Sequence, residues 1–191
     1  MKIYTLLLGP MLNCTYVVEN NGQAVLIDPS WDMPAIYKFL ESKSLKPAAV
    51  FFTHAHRDHM TDAENLLEKY NLTGLLEEQD EPFCYLPKKL LSLYKAPKVF
   101  DFIGLKFEVF ATPGHTRGSV CIKVGNILFT GDTLFRGSYG RVDLPGGDFK
   151  AIKNSLKNVL FKLPPETKVY PGHGDFSNIE YENKFNEINM S

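Results

Sequence analysis

Five histidines occur in the chain, and three of them crowd into Thr53-His54-Ala55-His56-Arg57-Asp58-His59. Imidazole nitrogens and carboxylate oxygens are the ligands of zinc, iron and manganese. Packed together without a cation, such imidazoles would repel one another when protonated and compete for few acceptors when neutral. His54 and His56, two residues apart, can leave a strand end on one side, while Asp58 and His59 turn back toward a second position. The other two histidines each follow a glycine, in Thr112-Pro113-Gly114-His115-Thr116 and Tyr170-Pro171-Gly172-His173-Gly174. A further apolar run, Ile127-Leu128-Phe129-Thr130, ends in Gly131-Asp132. Glycine lets the backbone turn tightly and approach a ligand closely. Four strand ends thus deliver every histidine in the chain together with Asp58 and Asp132. The chemistry this composition suits is the binding of one or more such metal ions. No serine-centred triad is visible.

Those side chains need rigid elements behind them. Residues 2–8, 15–19 and 24–27 read as strands, with Asn20-Asn21-Gly22 as a hairpin turn supplying positive φ. Asp32 caps an expected helix over 33–42 with Pro34 in its first turn, and Ile36, Phe39 and Leu40 share one face. Residues 48–52 form a continuous apolar strand running into the histidine loop. Thr61-Asp62-Ala63-Glu64 reads as the capping box of the next helix. Residues 77–98 are less regular, and their acidic run, Glu77, Glu78, Asp80 and Glu81, reads as solvated surface. Strands are expected again at 105–111, 119–124 and 127–130, with Gly125-Asn126 as a tight turn. Asp148 caps a helix over 149–162, stopped by Pro164-Pro165. Residues 168–170 form a last strand, and Ser177-Asn178-Ile179-Glu180 reads as a second capping box. This order suits two sheets with helices outside them.

Composition narrows the function classes. The chain has 191 residues, 44% hydrophobic and 23% charged, which excludes disorder and fits one domain over 1–191. A net charge of −1 provides no basic field for nucleic acid or an anionic membrane. Cys14, Cys84 and Cys121 are too far apart and too few for a disulfide framework, and they read as incidental or buried thiols of a reducing compartment. The apolar start Ile3–Leu8 is cut short by Gly9-Pro10, so a signal peptide is not expected, and no run approaches a membrane span. The expectation is a cytoplasmic enzyme acting on a small molecule, with no nucleic-acid or membrane partner; its oligomeric state is left open.

Taken together, these residues resemble the metallo-β-lactamase superfamily of hydrolases. The resemblance includes Gly9-Pro10-Met11-Leu12-Asn13-Cys14-Thr15-Tyr16, the strand closing at Asp28, the H-x-H-x-D-H loop and the three later strand ends. Within the superfamily the chain is most similar to the short glyoxalase II (hydroxyacylglutathione hydrolase) group, through Phe129–Phe135 and Gly140–Asp148. The resemblance implies an α/β (α+β) fold of αββα type: a four-layer sandwich of two mixed β-sheets flanked by helices. It implies two divalent metal ions, zinc first, with iron or manganese as alternatives. His54, His56 and His115 would hold one; Asp58, His59 and His173 would hold the other. Asp132 and a hydroxide would bridge them. Asp58 and Asp132 would be the catalytic carboxylates, Asp28 would stand behind the histidine loop, and Arg141 would bind the substrate.

The activity so implied is hydrolysis of a thioester, an S-acyl conjugate of glutathione or another small thiol, by the bridging hydroxide. Two departures stand out. Longer glyoxalase II enzymes carry a C-terminal helical extension that helps hold glutathione, whereas this chain ends shortly after His173; and Asp143 replaces an aromatic residue two positions beyond Arg141. Arg141-Val142-Asp143 is also similar to the persulfide dioxygenases of the same fold, which use one iron. The alternatives are therefore a mononuclear non-haem iron persulfide dioxygenase, a lactonase, or an idle metal-binding module.

Overall fold

The computed structural model describes residues 1–190, and its architecture follows from apolar runs that are buried on both sides. The first sheet contains β1 (Lys2–Leu8), β2 (Asn13–Asn20), β3 (Gln23–Ile27), β4 (Lys46–Phe51), β5 (Gly74–Glu77) and β6 (Leu91–Tyr94), in that order. The antiparallel β1–β2–β3 meander turns at Asn21 and Gly22, both at positive φ as the hairpin requires. From β3 to β6 the pairing is parallel. The second sheet contains β7 (Lys98–Phe102), β8 (Leu105–Ala111), β9 (Val120–Val124) and β10 (Ile127–Gly131). After the small hairpin β11 (Leu134–Phe135) and β12 (Ser138–Tyr139), it is completed by β13 (Lys168–Pro171) and β14 (Ser177–Asn178). Its order is β14-β13-β10-β9-β8-β7, with only β10 and β13 parallel. Both sheets are mixed, as expected.

Successive strand residues point to opposite faces, so each strand feeds two layers. In β3, Val25 and Ile27 join Phe51, Phe107, Ile122 and Phe129 between the sheets, while Ala24 and Leu26 face α1 (Met33–Ser42) and α2 (Ala63–Tyr70). In the second sheet Cys121, Leu128 and Val169 face outward onto Ile152 of α3 (Phe149–Asn154) and Ile179 of α4 (Ile179–Phe185). The result is the αββα sandwich. Strands covered on both faces lose the apolar–polar alternation of a half-buried sheet, which is why they read as continuous hydrophobic runs.

Four local expectations are corrected. Asp32 and Asp148 do cap α1 and α3, accepting from Ala35 N and Ala151 N at 3.0 and 2.9 Å. The Thr61 box does not form: Asp62 is left-handed, with φ 61°, and the Thr61 hydroxyl donates instead to the Arg57 carbonyl at 2.8 Å. At α4 the cap shifts one residue, to Asn178, whose side chain accepts from Tyr181 N. The expected 149–162 helix is α-helical only to Asn154, widens to a π-turn over Ser155–Val159 and tightens over Leu160–Lys162. Lastly, the acidic run is only partly solvated. Glu77 is buried in β5 and Asp80 is wholly inaccessible. All three cysteines are free, with Cys14 and Cys121 buried. Among the described residues, no helix is long and apolar enough to cross a membrane.

Candidate metal centre

Five chain segments at strand ends build the site. Asp28 follows β3, the His54–His59 loop follows β4, His115 follows β8, Asp132 follows β10 and His173 follows β13. Two glycines make the convergence possible. Gly114 lies at φ 142°, and a Cβ there would sit 2.3 Å from the Ile152 backbone, so only glycine lets α3 press against the His115 loop. A Cβ on Gly172 would come within 2.3 Å of Asp132 Oδ1 and 2.6 Å of the His59 ring.

The side chains gather into two histidine-rich triads. His54, His56 and His115 bring ligand atoms within 4.8 Å of one another, and so do Asp58, His59 and His173; His54, His59 and Asp132 form a third such group between them. Asp132 Oδ1 lies 3.2 Å from His59 Nε2, and its Oδ2 lies 3.7 Å from both His115 Nε2 and His173 Nε2. Asp132 therefore stands between the triads.

The surrounding hydrogen bonds fix which nitrogen of each ring faces inward. Thr53 has one hydroxyl proton, and it goes to Asp28 Oδ2 at 2.6 Å, because a carboxylate can only accept. His54 Nδ1, 3.0 Å from the same hydroxyl, must then be the donor, which leaves Nε2 a bare lone pair. His59 Nδ1 donates to Asp28 Oδ2 at 2.9 Å, and His115 Nδ1 donates to the Arg141 carbonyl at 2.8 Å. His173 Nδ1 points at the Met11 carbonyl at 3.3 Å. In each case the outer nitrogen is held by an acceptor and the inner one is free to ligate, the usual arrangement behind metal-binding histidines.

A cation fits this arrangement. His54 Nε2, His59 Nε2 and Asp132 Oδ1 are buried yet have no hydrogen bond of acceptable geometry. Buried polar atoms left unpaired are costly, and three facing one small space ask for a common partner. His56 Nδ1 and His115 Nε2 approach to 2.8 Å, and since the His115 Nδ1 proton goes to the Arg141 carbonyl, His56 Nδ1–H is the donor of that pair. Protonation suits ligation as well. Burial, then the neighbouring imidazoles, holds His54 well below the ordinary histidine value and His56 below it too. For Asp58 and Asp132 burial works the other way, but the adjacent histidines outweigh it and keep both below the usual carboxylate range. His59 and His173 are the exceptions: burial opposes charge on His59 but Asp132 and Asp28 outweigh it and raise its value well above 6.5, and the hydrogen bond to Asp58 raises His173, so a cation would have to displace a proton from each ring.

Asp28 is the organiser of the loop after β4. It is 3% exposed and accepts Thr53 N, the Thr53 hydroxyl and His59 Nδ1, while the Thr15 hydroxyl donates to its own carbonyl. Arg141 is placed differently from the other candidates. Its guanidinium is exposed and forms a bidentate pair with Asp143 at 2.8 and 2.7 Å, while its backbone, not its side chain, touches His115.

Two contributors were not anticipated. Asn13, 1% exposed, donates to Asp58 Oδ2 at 2.9 Å and is itself held by Trp31 Nε1 at 3.1 Å. Asp80 ties the two halves of the first triad together. Its Oδ2 accepts Ala55 N and the Thr116 hydroxyl, both at 2.8 Å, and its Oδ1 accepts Gly118 N at 2.7 Å. One carboxylate thus clamps the residue between His54 and His56 to the turn carrying His115. The sequence signal was available in principle: an acidic residue after a short buried strand, facing a glycine-containing turn.

Comparison with known proteins agrees with this geometry. A family model described as metallo-beta-lactamase superfamily matches residues 9–173. The chain is similar to a probable metallo-hydrolase of Bacillus subtilis, 28% identical, covering 91% of this chain and 90% of that one. A crystal structure of TTHA1623 in a di-iron-bound form superposes with a TM-score of 0.85 at 36% identity, over 96% of this chain and 98% of that one. The structure of ETHE1 from Myxococcus xanthus superposes with a TM-score of 0.88 at 31% identity, over 97% and 83% of the two chains.

Proposed function

The chain belongs to the metallo-beta-lactamase superfamily, and from that membership and its own site we propose that it is a binuclear metal-dependent hydrolase of a thioester formed on a small thiol. The observation that carries the proposal is the pair of triads with Asp132 between them. His54, His56 and His115 would hold one divalent cation, and Asp58, His59 and His173 the other, with Asp132 shared. Such cations supply Lewis acidity and a water acidic enough to attack a carbonyl near neutral pH. A similar chain was crystallised in a di-iron-bound form, which supports a two-cation site here.

The protein's own residues set the direction of approach. His54 and His59 are sealed, with 1% and 0% exposure, so they form the floor. His56, Asp58, Asp132 and His173 are only partly covered and form the open face. A substrate carbonyl must arrive from that side. Asn13 fixes the Asp58 carboxylate, and Asp28 fixes the loop, so the ligands need little rearrangement when the substrate binds.

The test is to purify the protein, measure metal per chain, and assay thioester hydrolysis beside persulfide-dependent oxygen uptake. Two ions with hydrolysis are expected. One iron with oxygen consumption would establish the second reading, a persulfide dioxygenase, which the similarity of Arg141-Val142-Asp143 to that group supports. A lactonase would show itself by opening a cyclic ester faster than a thioester.

Arg141 is assigned to the anionic end of the thiol. A guanidinium binds a carboxylate through two parallel hydrogen bonds, and Asp143 now fills that fork. Exposed pairs are weak, so a substrate carboxylate can replace Asp143 at little cost. Arg141→Ala should raise KM for an anionic thioester roughly tenfold, about 1.4 kcal/mol, with kcat nearly unchanged. Asp143→Ala should lower KM for the same substrate. Equal effects on a neutral thioester would mean that the loop is disturbed, and no effect in either variant would remove Arg141 from the site.

A further inference from the structure

Beside His56 lies a cavity of about 400 Å³ that the metal ligands do not explain. Its walls include Ala55, Phe83, Tyr85, Thr116 and Pro145. Phe83 and Tyr85 are 42% and 45% exposed, so both rings are open to a ligand. Both come from the segment after β5, which crosses over the histidine loop. Tyr85 is fixed in place: its hydroxyl donates to the Met60 carbonyl at 2.6 Å, and burial pushes its pKa up to about 12. The hydroxyl is thus spent on the protein, and what Tyr85 offers the cavity is its ring.

Arg57 stands at the rim. Its backbone carbonyl is held by the Thr61 hydroxyl and by Met60 N, and its guanidinium carbon lies 5.5 Å from the Tyr85 ring centroid. Among the described residues no carboxylate pairs with it. An exposed guanidinium spread over an aromatic face, with all its donors free, is a ready receptor for a carboxylate. Arg57 is also flanked by the ligands His56 and Asp58, so the cavity opens onto the same face by which a carbonyl reaches the centre.

We propose that this cavity is the acyl pocket, and that it selects a flat, apolar acyl group bearing a carboxylate at its far end. The aromatic walls take the apolar body, Arg57 takes the terminal carboxylate, and the carbonyl is left beside His56. Arg57 and Arg141 then hold opposite ends of the substrate, acyl and thiol. The inference rests on the thioester reading only for the bond that is cleaved.

The test separates the two. On one neutral thiol, kcat/KM is measured for acetyl, phenylacetyl and 4-carboxyphenylacetyl thioesters, and binding of 4-carboxyphenylacetate and of acetate is measured by calorimetry on the enzyme as purified. Wild type should prefer the carboxyphenylacetyl thioester to acetyl by at least tenfold. Arg57→Gln should reduce that preference, and the affinity for the dicarboxylate, about tenfold. Phe83→Ala should weaken both aryl compounds but not acetate, which also controls for acids that bind only at the cations. If no thioester is hydrolysed but the affinities shift as stated, the pocket stands and the thioester reading falls. If thioesters are hydrolysed and both variants keep the wild-type preference and affinities, the pocket assignment is overturned.

Discussion

Asp80→Ala should lower stability by roughly 3–5 kcal/mol, because it strands two buried backbone N–H groups at once and leaves the Thr116 hydroxyl only Ser119 as a partner. The three donors come from Ala55, Gly118 and Thr116, and Asp80 is fully enclosed. For a chain of this size the loss corresponds to a fall in Tm of about 10 °C. Metal content should fall with it, since Ala55 separates two ligands and Thr116 adjoins a third. Asp80→Asn gives a finer test. Its amide keeps one acceptor but turns an NH2 group toward a backbone N–H, so it should recover only part of the lost stability. Thermal melts of both variants, with and without bound metal, measure this. Wild-type melting and metal content in Asp80→Ala would show that the clamp is dispensable.

Asp80 also shows where sequence reasoning stops. Three acidic neighbours, Glu77, Glu78 and Glu81, made the run look like solvated surface, and the decisive fact is which turn of the second sheet packs against it. That turn lies 36 to 38 residues further on, and a local pattern carries no information about it. The layers were far easier to read. Val25 and Ile27 must face one way and Leu26 the other whatever the strand packs on, so a run apolar throughout demands cover on both sides. The histidine cluster was readable for a different reason: imidazoles are scarce in this chain, and their crowding has few explanations other than a cation. Arg141 lies between these cases. Its place in the chain suggested the rim of the cleft, but the conformation of its side chain depends on Asp143, a competition that only geometry reveals. The capping boxes failed on the same ground, since Asp62 in a left-handed conformation gives Thr61 to the Arg57 carbonyl and so to the histidine loop rather than to the helix.

Asp132→Ala should abolish turnover and strip at least one of the two cations proposed for the centre. Seven side chains converge on the centre, and only Asp58 and Asp132 bring negative charge. Removing Asp132 halves the anionic charge facing the cations and deletes the one group placed against both triads. Loss of a mere outer partner of a metal ligand commonly costs 10–100-fold in affinity, so loss of a shared ligand should exceed that. Asp132→Asn keeps the shape and one carbonyl oxygen but removes the charge. It should retain more metal than alanine and still turn over slowly, because an uncharged ligand leaves the cations less well neutralised. The order of metal content, wild type above asparagine above alanine, is measurable by elemental analysis after exhaustive dialysis, and chelation of wild type followed by readdition of zinc, manganese or ferrous iron supplies the reference for recovered activity. A glycine-flanked strand terminator with no part in the centre would leave metal content and rate the same in all three proteins, and that result would withdraw Asp132 from its place between the triads.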